Sequence, residues 1–218
     1  MPVLRENMEA KERIITKAAE LFMRYGIRTI TMDEIATQLG ISKKTLYQFF
    51  TDKDDMVNAA IDAIILKNEM DCMGFRDQAE NSVHHVFLAL ESLEDMLKYT
   101  NQQMVYDLEK HYPQPYKKLR EYKYQFLYKI MLENLQSGIR EGLYRTDIHI
   151  DIIAKARIES AFLAFNQDVF PHTRYNIAQV HFELAMFFLH GVTTAKGKKL
   201  IEKYSNERNQ KIAHEHKA

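Results

Sequence analysis

Apolar residues recur at helical spacing along most of the chain, and strand-like alternation is hard to find. In residues 9–25 they return every three or four positions, which places them on one face of a helix, and Gly26 then supplies a stop. The apolar positions of this run are Ile14, Ile15, Ala18, Leu21, Phe22 and Tyr25. The pattern predicts an amphipathic first helix.

Two short helices are predicted next, with a glycine-containing turn between them. Thr31 and Glu34 have the spacing of a capping box, so a second helix begins there and runs to Leu39. Ser42 is a good N-cap for a third helix of two turns over residues 43–50. The turn is too short for the two helices to lie antiparallel, so the pair has the form of a helix-turn-helix.

Longer helices follow, separated by glycine and proline. We expect a fourth helix from about residue 54 to near Gly74 and a break at Pro113-Gln114-Pro115. The other long helices are predicted at about 79–98, 100–111, 116–141, 149–168 and 175–191, with a charged tail helix after Lys196 that frays from residue 209. The chain is therefore expected to be all-α.

Composition limits the class of protein. The chain has 218 residues, 46% of them hydrophobic, with seven Gly and four Pro, which is enough to build a large helical core. The single Cys72 excludes an internal disulfide framework, and no apolar run is long enough for a membrane span or a signal peptide. We therefore expect a cytoplasmic protein.

The third predicted helix carries the candidate chemistry. Thirty basic and thirty acidic residues balance over the chain, so any affinity for nucleic acid must be local. At 100° per residue, Tyr47 and Gln48 share a face with Lys44, whereas Leu46 and Phe50 lie on the opposite side. Ammonium, amide and hydroxyl groups on one helix face are what reading the major groove requires. From this pattern alone, the alternative that Lys43 and Lys44 simply form a solvent-exposed face stays open.

Residues 31–56 resemble the DNA-binding signature of the TetR (tetracycline repressor-like) family. The matching residues are Thr31, Ile35, Ala36, Gly40, Ile41, Ser42, Thr45, Leu46, Tyr47, Phe50 and Lys53. The motif covers only about residues 10–60, although the helices that follow also look like the family's effector-binding and dimerisation domain. The resemblance implies a DNA-binding set of Thr31, Ser42, Lys43, Lys44, Thr45, Tyr47, Gln48 and Lys53.

Within that set the resemblance assigns different roles. Thr31, Tyr47 and Lys53 are expected at phosphates or the DNA backbone. The positions that can touch bases are Lys43, Lys44, Thr45 and Gln48. Lys44 departs from the family pattern, which often has a small residue there, and it either adds a guanine or phosphate contact or only increases nonspecific affinity.

The expected architecture is an N-terminal three-helix DNA-binding domain, residues 1–53, followed by a larger helical effector-binding and dimerisation domain, residues 54–218. The resemblance implies a homodimer on a palindromic operator and an unidentified small-molecule effector. Candidate ligand-binding residues are Met104, Phe126, Ile130 and Phe162. Candidate dimer-interface residues are Ala161, Phe165, Phe182, Met186 and Leu189. Ordinary core packing is the alternative for each residue in both sets.

No cofactor, metal site or enzymatic activity is expected. The nine histidines lack a diagnostic ligand spacing, and no glycine-rich phosphate loop or nucleophile elbow is present. The function predicted is a DNA-binding transcriptional regulator, a repressor released from its operator by a small molecule. The alternative is an all-helical small-molecule-binding or interaction protein without specific operator binding.

Overall fold

Eleven α-helices make up most of residues 2–101 and 103–215, the parts of the chain that this computed structural model describes, and those residues form no strand. The first seven helices are α1 (Pro2–Tyr25), α2 (Met32–Leu39), α3 (Lys43–Leu46), α4 (Lys53–Gln78), α5 (Ser82–Lys98), α6 (Met104–His111) and α7 (Pro113–Glu121). A π-helical segment at Tyr122–Leu127 precedes α8 (Tyr128–Arg140), α9 (Ile150–Leu163), α10 (Ile177–Val192) and α11 (Ala195–Glu215). The all-α prediction is confirmed. Within the described residues, none of the helices is both long enough and apolar enough to cross a membrane.

The helices group into two compact units. The first comprises Met1–Met70 and Met96–Tyr122, and the second comprises Asp71–Asp95 and Lys123–Ala218. Two separate stretches of chain thus build each unit, because α4 and α5 each begin in one unit and end in the other. The predicted division of function after residue 53 remains a prediction, since these units are defined by packing alone.

The core of the first unit joins the N-terminal helices to α6. Side chains from α1, α2, α3 and the first turns of α4 form one apolar cluster, and Phe22, Ile35 and Leu46 within it have no solvent exposure. Met104 and Leu108 of α6 belong to the same cluster. The helix-turn-helix therefore shares its hydrophobic core with a helix that lies much later in the sequence.

The second unit has its own core, supplied by α5, α8, α9, α10 and α11. Tyr144 is its largest buried side chain, and the hydroxyl donates to the Ser82 carbonyl at 3.0 Å and lies 3.1 Å from Asn134 Oδ1. The ring of Tyr144 lies against Gly138, where a Cβ would overlap it. Only glycine at position 138 leaves room for this ring.

Several predicted helix limits were wrong, for identifiable reasons. Gly74 does not end α4, because its backbone has no positive φ and a helix tolerates an interior glycine at a cost of about 1 kcal/mol. Pro113 does not lie in a break but begins α7. Proline has no N–H, and the first turn of a helix has no carbonyl to accept from one, so proline is well placed there. The tail helix does not fray at residue 209 but is helical through α11.

Candidate nucleic-acid interface

A capping box starts α2, as the spacing of Thr31 and Glu34 predicted. The Thr31 hydroxyl accepts from the Glu34 N–H at 3.2 Å, and the Thr31 N–H donates to Glu34 Oε2 at 2.7 Å. The same hydrogen bond holds the pKa of Glu34 below its ordinary value, because it stabilises the ionised carboxylate. Thr31 is exposed, so the start of α2 presents a fixed hydroxyl at the surface.

Gly40 makes the tight turn between α2 and α3. Its φ of 66° lies in the left-handed region, which glycine adopts without steric cost. The Gly40 N–H donates to the Thr37 carbonyl at 3.1 Å, and the Ile41 N–H donates to the Ala36 carbonyl at 3.0 Å. These two bonds form a Schellman motif, which ends α2 and directs the chain into α3.

The helix predicted over residues 43–50 is shorter than expected. Regular α-helix covers only Lys43–Leu46, and a hydrogen-bonded turn continues from it, in which the Phe50 N–H donates to the Leu46 carbonyl at 3.2 Å. Ser42 is the N-cap, since its Oγ accepts from the Thr45 N–H at 3.0 Å. The hydroxyls of Ser42 and Thr45 also lie 2.8 Å apart, so both side chains hold the start of α3.

The buried and the exposed side chains of residues 43–50 lie on opposite faces, as predicted. Leu46 is fully buried and Phe50 is 2% exposed, whereas Lys44, Tyr47 and Gln48 are all exposed. The buried pair anchors the segment in the core of the first unit. An ammonium, a phenol and an amide therefore point away from that core, and the buried side chains of Leu46 and Phe50 fix the backbone that carries them.

The two lysines of α3 have different surroundings. Lys43 forms an ion pair with Asp33 of α2 at 2.8 Å, and the hydrogen bond to Asp33 raises the pKa of Lys43. Its Nζ also lies 5.9 Å from the centre of the Tyr47 ring. Lys44 has no ion pair with residues 7–101 or 103–214, the residues whose side chains are described. Lys44 is thus the α3 cation that can reach a ligand without breaking a contact inside the protein.

A second basic group lies at the start of α4. Lys53 Nζ donates to the carbonyl of Arg28 at 3.3 Å, and partial burial lowers the pKa of Lys53. Arg28 is exposed in the connection between α1 and α2, and its charge also lowers the pKa of Lys53, which places the two cations near each other. Arg28 was missed from the sequence, because a single cation between two helices carries no pattern.

Asp107 of α6 contacts the connection between α1 and α2 from the buried side. Its carboxylate is buried, at 7% exposure, and accepts from the Arg28 N–H at 3.5 Å. Asp107 was also missed, although it falls on the apolar face of α6 between Met104 and Leu108, where an acidic residue is unusual. Through Asp107, α6 contacts the loop that carries Arg28.

The four predicted ligand-binding residues do not share a compact unit. Met104 is buried in the core of the first unit, and Phe126, Ile130 and Phe162 are partly buried in the second. Only Ile130 lines the described cavity of about 330 Å³, whose other lining residues include Arg76, His85, Asn134 and Arg140. Phe162 instead lies under Lys123, with Nζ 4.6 Å from the ring centre. Their role as a ligand site stays a prediction.

The predicted dimer residues differ in accessibility. Ala161, Phe165, Phe182 and Met186 are partly exposed, so each keeps surface that a partner can cover. The prediction that Leu189 lies in the dimer interface is corrected, because this side chain has no exposed surface and packs entirely within the core of the second unit. Its near neighbour on α10, Phe187, is 82% exposed and was not predicted.

In residues 7–101 and 103–214, where the side chains are described, no three His, Cys, Asp or Glu side chains lie close enough together to hold a metal ion.

Comparison with known proteins supports the nucleic-acid interpretation of the N-terminal helices. Residues 14–60 match the family described as bacterial regulatory proteins, tetR family. An uncharacterised HTH-type transcriptional regulator of Mycobacterium tuberculosis is 36% identical over 55 residues, which are 25% of this chain and 23% of that protein. The matched segment thus spans about a quarter of that relative's length.

Two further comparisons extend beyond the motif. The HTH-type transcriptional repressor KstR2 of M. tuberculosis is 25% identical over 148 residues, 64% of this chain and 72% of that protein. A TetR-family transcriptional regulator from Agrobacterium tumefaciens has a structure that covers 86% of this chain and 99% of its own, with a TM-score of 0.69 at 14% identity. The structural likeness shows that both units have the fold of such regulators. Residues 14–60 therefore match the tetR family of bacterial regulatory proteins, and the chain as a whole shares the fold of these regulators.

Proposed function

We propose that this protein is a cytoplasmic, homodimeric transcription repressor that binds a palindromic operator and is released from it by a small-molecule effector. The observation that carries the proposal is the exposed face of Lys44, Tyr47 and Gln48, held by the buried side chains of Leu46 and Phe50. The protein acts by binding, and no catalytic step is needed.

The exposed face supplies the chemistry for reading base pairs. The Lys44 ammonium donates to O6 and N7 of guanine, and the Gln48 amide pairs with N6 and N7 of adenine. Lys43 shares its ammonium with Asp33, whose carboxylate offsets part of the positive charge that Lys43 brings to the same groove. We therefore assign Lys44 and Gln48 to bases and Lys43 to a secondary contact.

The residues around this face are suited to phosphate. Thr31, Lys53 and Arg28 lie at or near the start of α2 or α4, where the helix dipole favours an anion. Tyr47 adds a phenol beside them on the DNA side. Such contacts set the position of α3 on the duplex and do not read sequence.

The link from effector to DNA is proposed to run through α4 and α6. α4 begins at Lys53 in the first unit and ends in the second, so a displacement of its far end shifts the segment that carries the phosphate contacts. α6 adds a contact at Arg28 through Asp107 and shares the core of the helix-turn-helix. The effector must bind the DNA-released state more tightly than the DNA-bound state.

The dimer is proposed to form through α9 and α10, around Ala161, Phe165, Phe182 and Met186. Phe187 extends this surface, since a phenyl ring that is 82% exposed gains by burial against a second copy. A two-fold axis through these helices repeats α3 in the partner. A spacing of one DNA turn, about 34 Å, or a multiple of it then requires a palindromic operator.

The experiment is selection of bound duplexes from a random DNA pool by the purified full chain, at two salt concentrations. The matched variants are Tyr47→Ala, at the proposed interface, and Tyr99→Ala, an equally large side chain that is 73% exposed in the first unit outside the helix-turn-helix. We expect a palindrome from the wild type and from Tyr99→Ala, with loss of enrichment for Tyr47→Ala. Affinity should fall steeply with salt, because bound phosphates release counterions.

Failure to enrich any sequence with folded wild-type protein would favour the alternative, a helical small-molecule-binding or interaction protein. Equal loss of binding in both tyrosine variants would also contradict the proposal, because it would separate binding from the α3 face.

A further inference from the structure

A buried arginine in the second unit lacks a counter-charge. Arg157 of α9 is 8% exposed, and burial lowers its pKa to about 10. Among the described residues its Nε has no hydrogen-bond partner, and Nη1 has a contact of 3.5 Å with the Ser160 hydroxyl. No carboxylate among the described residues forms an ion pair with it. A guanidinium is thus held in the protein interior with its Nε–H unused and only a long contact at Nη1.

A buried histidine on the neighbouring helix is also unpartnered. His181 of α10 is 2% exposed, and neither Nδ1 nor Nε2 has a hydrogen-bond partner in the part of the chain that the structure describes. Burial and the nearby charge of Arg157 lower the pKa of His181 to about 4, so the ring is neutral at physiological pH. Arg157 and His181 therefore present unused donors, and one unused ring acceptor, to the same part of the α9–α10 packing.

Aromatic rings surround these two polar groups. The Phe165 ring meets His181 edge to face at 5.1 Å between ring centres, and the Phe188 ring lies 5.7 Å from the Arg157 guanidinium carbon. Both rings are apolar, and a cation–π contact at that distance offsets only a small part of the loss of hydration. Buried polar groups of this kind are normally paired, so two of them side by side indicate a missing partner.

We propose that Arg157 and His181 bind the carboxylate of a small organic acid, and that this acid is the effector of the regulator. The inference rests on the proposed function, because it names the chemical class of the effector. The planar guanidinium donates two parallel N–H groups to a carboxylate, which matches its two oxygens. His181 donates a third hydrogen bond from one ring nitrogen, and the phenyl rings contact the hydrocarbon part of the acid.

A monocarboxylate fits this site better than a phosphate. One guanidinium neutralises one negative charge, and His181 is neutral, so a dianion would leave a net charge buried among phenyl rings.

The test uses phenylacetate and octanoate as probes, with phenylacetamide and octanamide as their neutral counterparts. Binding to the full chain is measured by titration calorimetry. We expect saturable binding of at least one acid and none of either amide. Addition of the acid that binds should also release the operator duplex in a fluorescence anisotropy assay.

Variants locate the carboxylate. Arg157→Met keeps most of the side-chain volume and removes the charge, so we expect at least tenfold weaker binding of the acid together with a higher melting temperature of the ligand-free protein. Arg157→Lys keeps the charge without the two-pronged geometry and should weaken binding several-fold, which provides a second test if the methionine variant fails to fold. Arg140→Met is the matched control, because Arg140 lines the separate polar cavity and bonds Ser137 instead.

Each of four binding results would overturn the proposal. They are no binding of either acid, equal binding of acid and amide, unchanged binding by Arg157→Met, and loss of binding in Arg140→Met instead. A fall to monomer in Arg157→Met would overturn it too, because the missing counter-charge would then come from a second copy. The ligand-free wild type is assayed on DNA in parallel. DNA binding without acid binding refutes only the effector class, whereas acid binding without DNA binding refutes the proposed regulator.

Discussion

Leu46→Ala should loosen α3 and the turn that follows it, residues 43–50, without changing their exposed side chains. Leu46 has no solvent exposure, and its carbonyl accepts from the N–H groups of Phe49 and Phe50. α3 has only four residues of regular helix, so it cannot hold its shape alone and depends on the core behind it. Removal of the leucine side chain takes away the main attachment of that segment.

The expected cost follows from the burial. Replacing a fully buried leucine by alanine costs about 2–5 kcal/mol, which includes the transfer of the side chain and the cavity left behind. α3 and its turn are short and can partly collapse into that space, so we expect about 3 kcal/mol. At 1.4 kcal/mol per decade, local opening becomes more frequent by roughly a hundredfold.

Hydrogen-exchange mass spectrometry measures this effect where it occurs. Peptides from residues 14–60 should exchange about a hundred times faster in Leu46→Ala, while peptides from the second unit keep their wild-type rates. Affinity for the selected operator should fall as well, because binding must then reorder α3.

Lys44→Ala is the matched control in the same helix. Its side chain is exposed and makes no ion pair within the described residues, so its free energy of unfolding should change by no more than about 0.5 kcal/mol while operator affinity falls. Unchanged exchange in Leu46→Ala, to within threefold, would refute the reasoning that the core holds α3.

Three further predictions concern the second unit. Gly138→Ala should destabilise it by more than about 2 kcal/mol in urea unfolding, because the new Cβ overlaps the Tyr144 ring. Gly191→Ala in α10 has nothing within 4 Å of the new Cβ, so it should be neutral or stabilising by up to about 1 kcal/mol, and equal effects of the two changes would contradict the overlap. Phe187→Glu should shift the protein from dimer to monomer in sedimentation without loss of helix content, since the ring is 82% exposed, and a persistent dimer would exclude this surface. His181→Phe should make the protein less sensitive to acid. Burial lowers the folded-state pKa of His181 from 6.5 to about 4, so the wild type loses on the order of 3 kcal/mol of stability as the pH falls from 6.5 to 4. Parallel profiles of stability against pH for wild type and variant would refute this.

The sequence alone predicted the parts of the molecule that depend on local rules. The capping box at Thr31, the glycine turn at position 40 and the N-cap at Ser42 each involve groups a few residues apart, and all three are present. The two faces of the segment after Ser42 follow from helical spacing and were also correct. The candidate DNA-binding face could therefore be predicted without any tertiary contact.

Helix limits needed more than local pattern. Gly74 and Pro113 are both helix breakers in general, but each occupies a position where a helix tolerates it. The short α3 is the opposite case, because residues 47–50 keep helical burial while their hydrogen bonds become those of a turn. Spacing reports which side chains are buried and does not fix the hydrogen-bond pattern.

Tertiary structure alone decided which distant residues meet. Asp107 bonds the backbone of Arg28 across 79 positions, and Arg157 reaches the packing around His181 from another helix. Leu189 and Phe187, two residues apart on α10, turned out to be fully buried and 82% exposed. An apolar stripe predicts that a helix is buried on one side. Whether that side faces its own core, a second copy or a ligand depends on free energies of contacts between residues far apart in the chain, which the one-dimensional pattern does not contain.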